Sequence, residues 1–233
     1  MISTGKMKTL IFGDKPAGNP RGVDGLVFDF DGTLADSMQV WYWVDEEFLR
    51  RRNLEEPEDY GKTLSTLGFR ESAAWVIEVL GLDETVEDVM DEWNELALEF
   101  YANNVYLKPH VREFIEAARA EGLKTSIATT VSPELLFPAL ELNDARDLFD
   151  AVAFSHECEH DKNEPDIYLL AADRMGVPPE RCVVFEDILP GVRSAKRGGM
   201  YAVGVRDDSG HQEIDEMREV ADAFISGFGE LLE

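Results

Sequence analysis

The chain has 233 residues, 44% of them hydrophobic, a length and composition that suit one sizeable domain or one domain carrying an insertion. Its 48 acidic residues outnumber 22 basic ones, for a formal net charge of −26. Such a surface repels nucleic acid and anionic membranes, so neither is an expected partner, although a halophilic habitat would produce the same excess.

Residues 1–24 read as an N-terminal extension, with a short strand in "MKTLIFGD" and a loop in "KPAGNPRG", where Pro and Gly punctuate the chain. No charged-then-apolar leader opens the sequence and no apolar stretch reaches membrane-spanning length, so a soluble, cytoplasmic setting is expected. From Gly25 onward short apolar runs alternate with helical patterns. The runs are "GLVFDF", "KTSIAT", "AVAFS", "CVVFED", "YAVGV" and "DAFIS". Near-continuous apolar runs of this kind predict a parallel sheet covered on both faces.

The gap between the first two runs is too long for one crossover. Residues 38–107 carry helical stripes instead: Trp41, Val44 and Phe48 in one segment, and Val86, Val89, Trp93, Leu96 and Phe100 in another. This stretch predicts a helical insertion, with 17 acidic residues against Arg50, Arg51, Arg52, Lys62 and Arg70. The Arg50–Arg52 run reads as a solvated helix face. The sheet domain then comprises residues 25–37 and 108–233. Further on, "EPDIYLLAADRMG" places Ile167, Leu170, Ala171 and Met175 at helical spacing and stops at Gly176. Of the two cysteines, Cys158 and Cys182, the second opens an apolar run and reads as core. They share no CxxC spacing, which argues against a zinc site or a disulfide framework and for a reducing compartment. The sequence carries no signal of oligomeric state.

In open parallel sheets ligands bind beyond the carboxyl ends of the strands. Asp29, Asp31 and Thr33 follow the first run in "FDFDGT", and Thr129 and Thr130 end the second. Lys162 follows the third, and Glu186 and Asp187 end the fourth. Asp29 and Asp31, two apart at the end of a buried strand, repel each other, and a divalent cation is the expected compensation. Oxygen donors of this kind favour Mg²⁺. A metal landing place, a hydroxyl donor and a lysine suit phosphoryl transfer, and Ser132–Pro133 reads as a helix N-cap able to attract an anion.

These residues carry a resemblance. "DFDGT" at Asp29–Thr33, the strand ending in Thr129, Lys162 and the "FED" of Glu186–Asp187 resemble, in order and spacing, the four motifs of the haloacid dehalogenase superfamily. The resemblance covers residues 25–233 and points to the β-phosphoglucomutase/phosphoglycolate phosphatase-like group. It implies a Rossmann-like doubly wound α/β core with a helical C1 cap inserted after the first strand. "KNEPD" departs from the commoner Lys-Pro-x-Pro wording by placing Asn163 after the lysine, and "LKPHV" has His110 where glycine is usual.

What the resemblance implies is a Mg²⁺-dependent phosphatase acting on a small phosphorylated metabolite, such as a sugar phosphate. Asp29 resembles the nucleophile that becomes an aspartyl-phosphate, and Asp31 the general acid/base. Asp29, the Asp31 carbonyl, Asp187 and Glu186 resemble the metal set, and Thr129 and Lys162 the phosphate binders. Thr33, Thr130 and Arg70 are further substrate candidates; for Arg70 the alternative is a surface ion pair. A phosphomutase shares these motifs but places a histidine where this chain has Trp41. A dehalogenase does without the second aspartate. A non-catalytic binding protein on the same fold is the alternative of another class.

Overall fold

A computed structural model describes residues 22–64, 67–207 and 212–232. The strand expected in "MKTLIFGD" lies outside them. All six apolar runs form strands: β1 (Gly25–Phe28), β2 (Lys124–Thr129), β3 (Ala151–Phe154), β4 (Cys182–Glu186), β5 (Tyr201–Val205) and β6 (Ala223–Ile225). They make one sheet in the order β3-β2-β1-β4-β5-β6, every pairing parallel. Chain order reverses at β1, between β2 and β4, which is the switch point where doubly wound folds open a crevice. Phe28 lies opposite Ile127 and Phe185, so the register brings Asp29 level with Glu186.

Alternate side chains leave each strand on opposite faces. Leu26 and Phe28 join Ile127, Val183 and Phe185 on one face, whereas Val27 joins Ala128 and Val184 on the other. Both faces are covered, which is why the runs are apolar throughout rather than alternating. On the first face, α5 (Val111–Ala120) and α6 (Pro133–Leu142) bury Phe114, Ile115, Leu136 and Leu140. Phe28 stacks there on Phe185 with centroids 4.9 Å apart and meets Phe114 edge-on. On the second face, α7 (Asp166–Met175) and α8 (Leu189–Arg197) bury Ile167, Tyr168, Ala171, Met175, Val192 and Ala195. Helix α7 ends at Gly176 in the left-handed conformation, as its sequence predicts. A last helix, α9 (Ile214–Val220), buries Met217 against this face.

Between β1 and β2 come α1 (Val40–Arg52), α2 (Tyr60–Leu64), α3 (Phe69–Leu80) and α4 (Val86–Asn104) before the chain reaches α5. Helix α4 starts with a capping box: Asp88 N–H donates to Thr85 Oγ1 at 3.1 Å, and Thr85 N–H to Asp88 Oδ2 at 2.9 Å. Of its predicted stripe, Val89, Trp93, Leu96 and Phe100 are buried and Val86 is half-buried, and α4 packs along α6. The insertion's core is therefore continuous with the cluster on that face of the sheet.

Two expectations in α1 need correction. Val44 and Phe48 are buried, but Trp41 is 47% exposed. It sits in the first turn, packs on Phe69 at 5.5 Å, and looks onto a cavity at the end of β1. Arg52 is not a solvated residue. Its guanidinium lies 3.7 Å from the centre of the Phe48 ring and donates to Glu84 at 2.8 Å and Glu92 at 2.5 Å. Just before α5, His110 adopts φ +68°, the left-handed region that glycine enters without cost, which accounts for the glycine usual at that position. No helix among the described residues is long and apolar enough to cross a membrane.

Candidate active site

A cavity of about 460 Å³ opens at the carboxyl ends of the central strands, with Asp29, Asp31, Thr130, Lys162, Asp187 and Trp41 among its lining residues. A larger cleft of about 780 Å³ beside Lys108, His110 and Arg206 holds none of the carboxylates that sequence reasoning singled out. Five of the expected residues thus share the smaller cavity, even though β1, β2 and β4 and the loop after β3 contribute them separately.

The charge arrangement differs from the one expected. Asp29 is crowded by Glu186 and Asp187, not by Asp31. Asp29, Glu186 and Asp187 are all buried, and each offers a carboxylate oxygen within 4.8 Å of the others. Lys162 supplies the nearest positive charge. Its ammonium contacts Asp29 Oδ1 and lies 2.6 Å from Glu186 Oε1. Burial works against that charge, but the two carboxylates outweigh it and raise the lysine above its ordinary range.

Burial holds Asp29 well above the usual carboxylate range against the pull of Lys162, and Glu186 and Asp187 push it the same way. Asp187 is raised to about 7 by burial and then by Glu186. Three buried carboxylates facing one lysine leave the cluster short of positive charge. An all-oxygen set of this kind fits Mg²⁺. Asp29, Glu186 and Asp187 are the side chains that would hold the ion.

The carboxylates are fixed by hydrogen-bond donors, of which Thr33 and Tyr168 are buried. Thr33 Oγ1 donates to Asp187 Oδ1 at 2.9 Å, so this candidate substrate contact is committed to the cluster. Tyr168 Oη donates to Glu186 Oε1 at 2.6 Å, and Ile188 N–H to Glu186 Oε2 at 3.2 Å. Gln212 Nε2 donates to the Asp187 carbonyl at 2.6 Å. Gly32, at φ +73°, lets the loop approach so closely that a Cβ there would collide with the Asp187 carboxylate. Lys108 braces the same turn by donating to the Gly32 carbonyl and to Asp207 Oδ1, the latter at 2.7 Å.

Asp31 stands apart from this cluster. Its Oδ1 accepts from Ser37 Oγ at 2.5 Å and from Tyr101 Oη at 2.9 Å. Burial raises its carboxyl, and the two hydroxyls oppose the rise. Thr129 is fully buried, and its Oγ1 accepts from Val131 N–H at 3.1 Å, while Thr130 faces the cavity. Arg70 is not brought to the cavity; it pairs with Glu87 at 2.7 Å, and both side chains are exposed. Sequence reasoning missed Ser37, Tyr101, Tyr168, Lys108 and Gln212. The two tyrosines lie on apolar helical stripes, where the ring signals core and the hydroxyl goes unread.

The sheet order and the carboxylates at its switch point define a doubly wound α/β protein with an acidic crevice. A model of the haloacid dehalogenase-like hydrolases matches residues 23–199, and the chain belongs to that family. It fits the β-phosphoglucomutase/phosphoglycolate phosphatase-like group. Protein CbbY of Rhodobacter capsulatus is 35% identical over 188 residues, which cover 76% of this chain and 83% of that protein. A phosphorylated carbohydrates phosphatase of Thermotoga maritima is 26% identical, over 78% of this chain and 84% of its own. Among solved structures, a Thermotoga maritima protein described as of the β-phosphoglucomutase type superposes with a TM-score of 0.80. It has 25% identity, with 90% of this chain and 97% of that one covered.

Proposed function

We propose that this hydrolase is a Mg²⁺-dependent phosphatase that releases phosphate from a small phosphorylated carbohydrate through an aspartyl-phosphate on Asp29. The observation that carries the reading is one cavity shared by Asp29, Asp31, Lys162 and Asp187. The kinship with a phosphorylated carbohydrates phosphatase supports the substrate class.

In this reading a carboxylate oxygen of Asp29 attacks phosphorus and the bond to the leaving oxygen breaks. Asp31 gives that oxygen its proton. Asp31 then takes a proton from water as the water oxygen attacks the aspartyl-phosphate, and phosphate and free Asp29 are released. The raised carboxyl of Asp31 suits the first of its two tasks. Lys162 orients Asp29 and offers its charge to the phosphoryl oxygens, while Thr129 and Thr130 supply hydroxyl donors at the end of β2. Asp29, Asp187, Glu186 and the Asp31 carbonyl would hold Mg²⁺, which supplies neutralisation of the phosphoryl charge.

The helices of residues 38–107 serve as a cap over the core formed by 25–37 and 108–233, and they exclude water during the reaction. Arg70 becomes a phosphate contact only where its pair with Glu87 is broken. The similarity to a β-phosphoglucomutase-type structure favours a second reading, a phosphomutase. Trp41, which cannot exchange a proton as the mutases' histidine does, favours hydrolysis.

The test is release of inorganic phosphate from a panel of sugar phosphates with Mg²⁺, compared with the same enzyme in EDTA and with Asp29→Asn. Release by the wild type, abolished in both controls, is expected. Metal-independent release, or an active Asp29→Asn, overturns the mechanism. Phosphate moved within the substrate instead of released identifies the mutase. Inactivity on the whole panel leaves the non-catalytic binding protein.

A further inference from the structure

The pleat of β4 decides which way Glu186 points. Val184 belongs to the cluster on the second face of the sheet, so Glu186, two residues on, leaves the strand towards the same face, where α7 and α8 pack. Tyr168 in the first turn of α7 and Gly191 in the first turn of α8 meet its carboxylate there.

Glu186 Oε1 accepts from Tyr168 Oη at 2.6 Å and from Lys162 Nζ at 2.6 Å. A carboxylate oxygen has two lone pairs, and two short donors, one of them charged, occupy both. The other oxygen, Oε2, accepts a longer bond of 3.2 Å from Ile188 N–H. The carboxylate is also boxed in. A Cβ on Gly191 would stand 2.5 Å from Glu186 Cδ and 2.6 Å from Tyr168 Oη, so the approach of α8 depends on the missing side chain. Tyr168 and Glu186 are both fully buried, and neither can exchange this bond for one to bulk water.

The number of oxygens that a carboxylate presents bears on which cation it takes. Mg²⁺ demands near-octahedral geometry with short bonds, which the two closely set oxygens of one carboxylate cannot both enter without distortion. Ca²⁺ is larger, takes more oxygens in a looser arrangement, and accepts a carboxylate through both of them.

We propose that Tyr168 is a positioning residue that selects Mg²⁺ over Ca²⁺: with Lys162 it fills Glu186 Oε1 and leaves Oε2 as the single oxygen offered to the cation. This rests on the Mg²⁺ site of the reading above. Without the phenol hydroxyl, Oε1 regains a lone pair, the carboxylate is held less firmly, and both of its oxygens become available.

The experiment is isothermal titration calorimetry of the metal-free full chain with MgCl₂ and, separately, with CaCl₂, for the wild type and Tyr168→Phe. Neither titration depends on turnover. The substitution removes one oxygen and keeps the ring in its packing, and Lys162 and Ile188 still bond Glu186, so the variant folds; its melting curve in EDTA verifies this. Tyr168→Phe is expected to weaken Mg²⁺ binding about ten-fold, the size usual when an outer partner of a metal ligand is lost. Ca²⁺ binding stays equal or tightens, so the ratio of Mg²⁺ to Ca²⁺ affinity falls by about the same factor or more. An unchanged ratio overturns the proposal, whether both affinities hold or both weaken alike, because a ring that serves packing alone does not distinguish the two ions. That result, with Mg²⁺ bound by the wild type, leaves the Mg²⁺ reading intact. No binding of either cation to the wild type defeats both.

Discussion

Replacing Lys162 by methionine keeps most of the buried stem and removes its charge. The Lys162 side chain is 8% exposed, and those of its partners Asp29 and Glu186 are 7% and 0% exposed. Neither carboxylate can turn to water, so the variant must either bury an uncompensated charge or take up a proton. Protonating one carboxyl of ordinary pKa ~3.9 at pH 7 costs about 4 kcal/mol, which falls within the ~3–5 kcal/mol measured when one partner of a buried pair is removed. For a chain of this size about 2–4 °C of Tm accompanies each kcal/mol, so a fall of roughly 8–16 °C is expected in EDTA. Mg²⁺ should recover part of it. The variant's cluster has lost its competing cation, so Mg²⁺ should raise Tm more in Lys162→Met than in the wild type. Differential scanning calorimetry in EDTA and in Mg²⁺ measures both quantities. A Tm within ~3 °C of the wild type in EDTA would refute the ion-pair argument. A smaller Mg²⁺ gain in the variant would refute the assignment of the cluster as a metal site.

Asp45 on α1 provides a pH test away from the site. Burial, and then Glu56, raise its carboxyl to about 7. A carboxyl raised in the folded state costs nothing below its unfolded pKa of ~3.9, and its penalty grows as pH rises towards 7. Asp45→Asn should therefore raise Tm at pH 8 and leave it nearly unchanged at pH 4; an equal shift at both values would refute the argument. Arg52→Met should cost about 1 kcal/mol and lower Tm by ~2–4 °C, because it removes the bridge from α1 to Glu84 and Glu92 but keeps contact with Phe48. High salt should narrow that difference, and a salt-independent loss would assign the effect to packing instead.

The sheet was legible because its central strands are buried on both faces. Each apolar run is bounded by polar or turn residues, and its short length favours a strand of a covered parallel sheet over a helix. The candidate site was legible for a related reason: Asp29 and Glu186 each directly follow a phenylalanine of aligned register, so strand pairing alone brings them level. What failed was direction. Asp29 and Asp31 look like a repelling pair in the sequence, yet Asp31 is held by Ser37 and Tyr101, and the repulsion on Asp29 comes from residues more than 150 positions away. Trp41 has the right helical phase for the core, but phase does not say where the neighbouring helix ends. Arg52 belongs to a charge run that reads as solvated, and only the tertiary approach of α4 gives it Glu92.

That distinction between position and direction also separates the site's carboxylates. Asp187 takes its hydrogen bond from Thr33, and Glu186 takes its bonds from Lys162, Tyr168 and Ile188; all lie on the loops that leave the strands or on α7, which packs on the sheet. Their geometry is set once the sheet forms. Asp31 takes one of its bonds from Tyr101, on α4 of the insertion, and the other from Ser37, at the start of the connection into it. The orientation of Asp31 therefore depends on how α4 lies against the sheet. In the proposed reaction the nucleophile and the metal ligands are prepared in advance, and the proton carrier is the group whose aim follows the helical insertion.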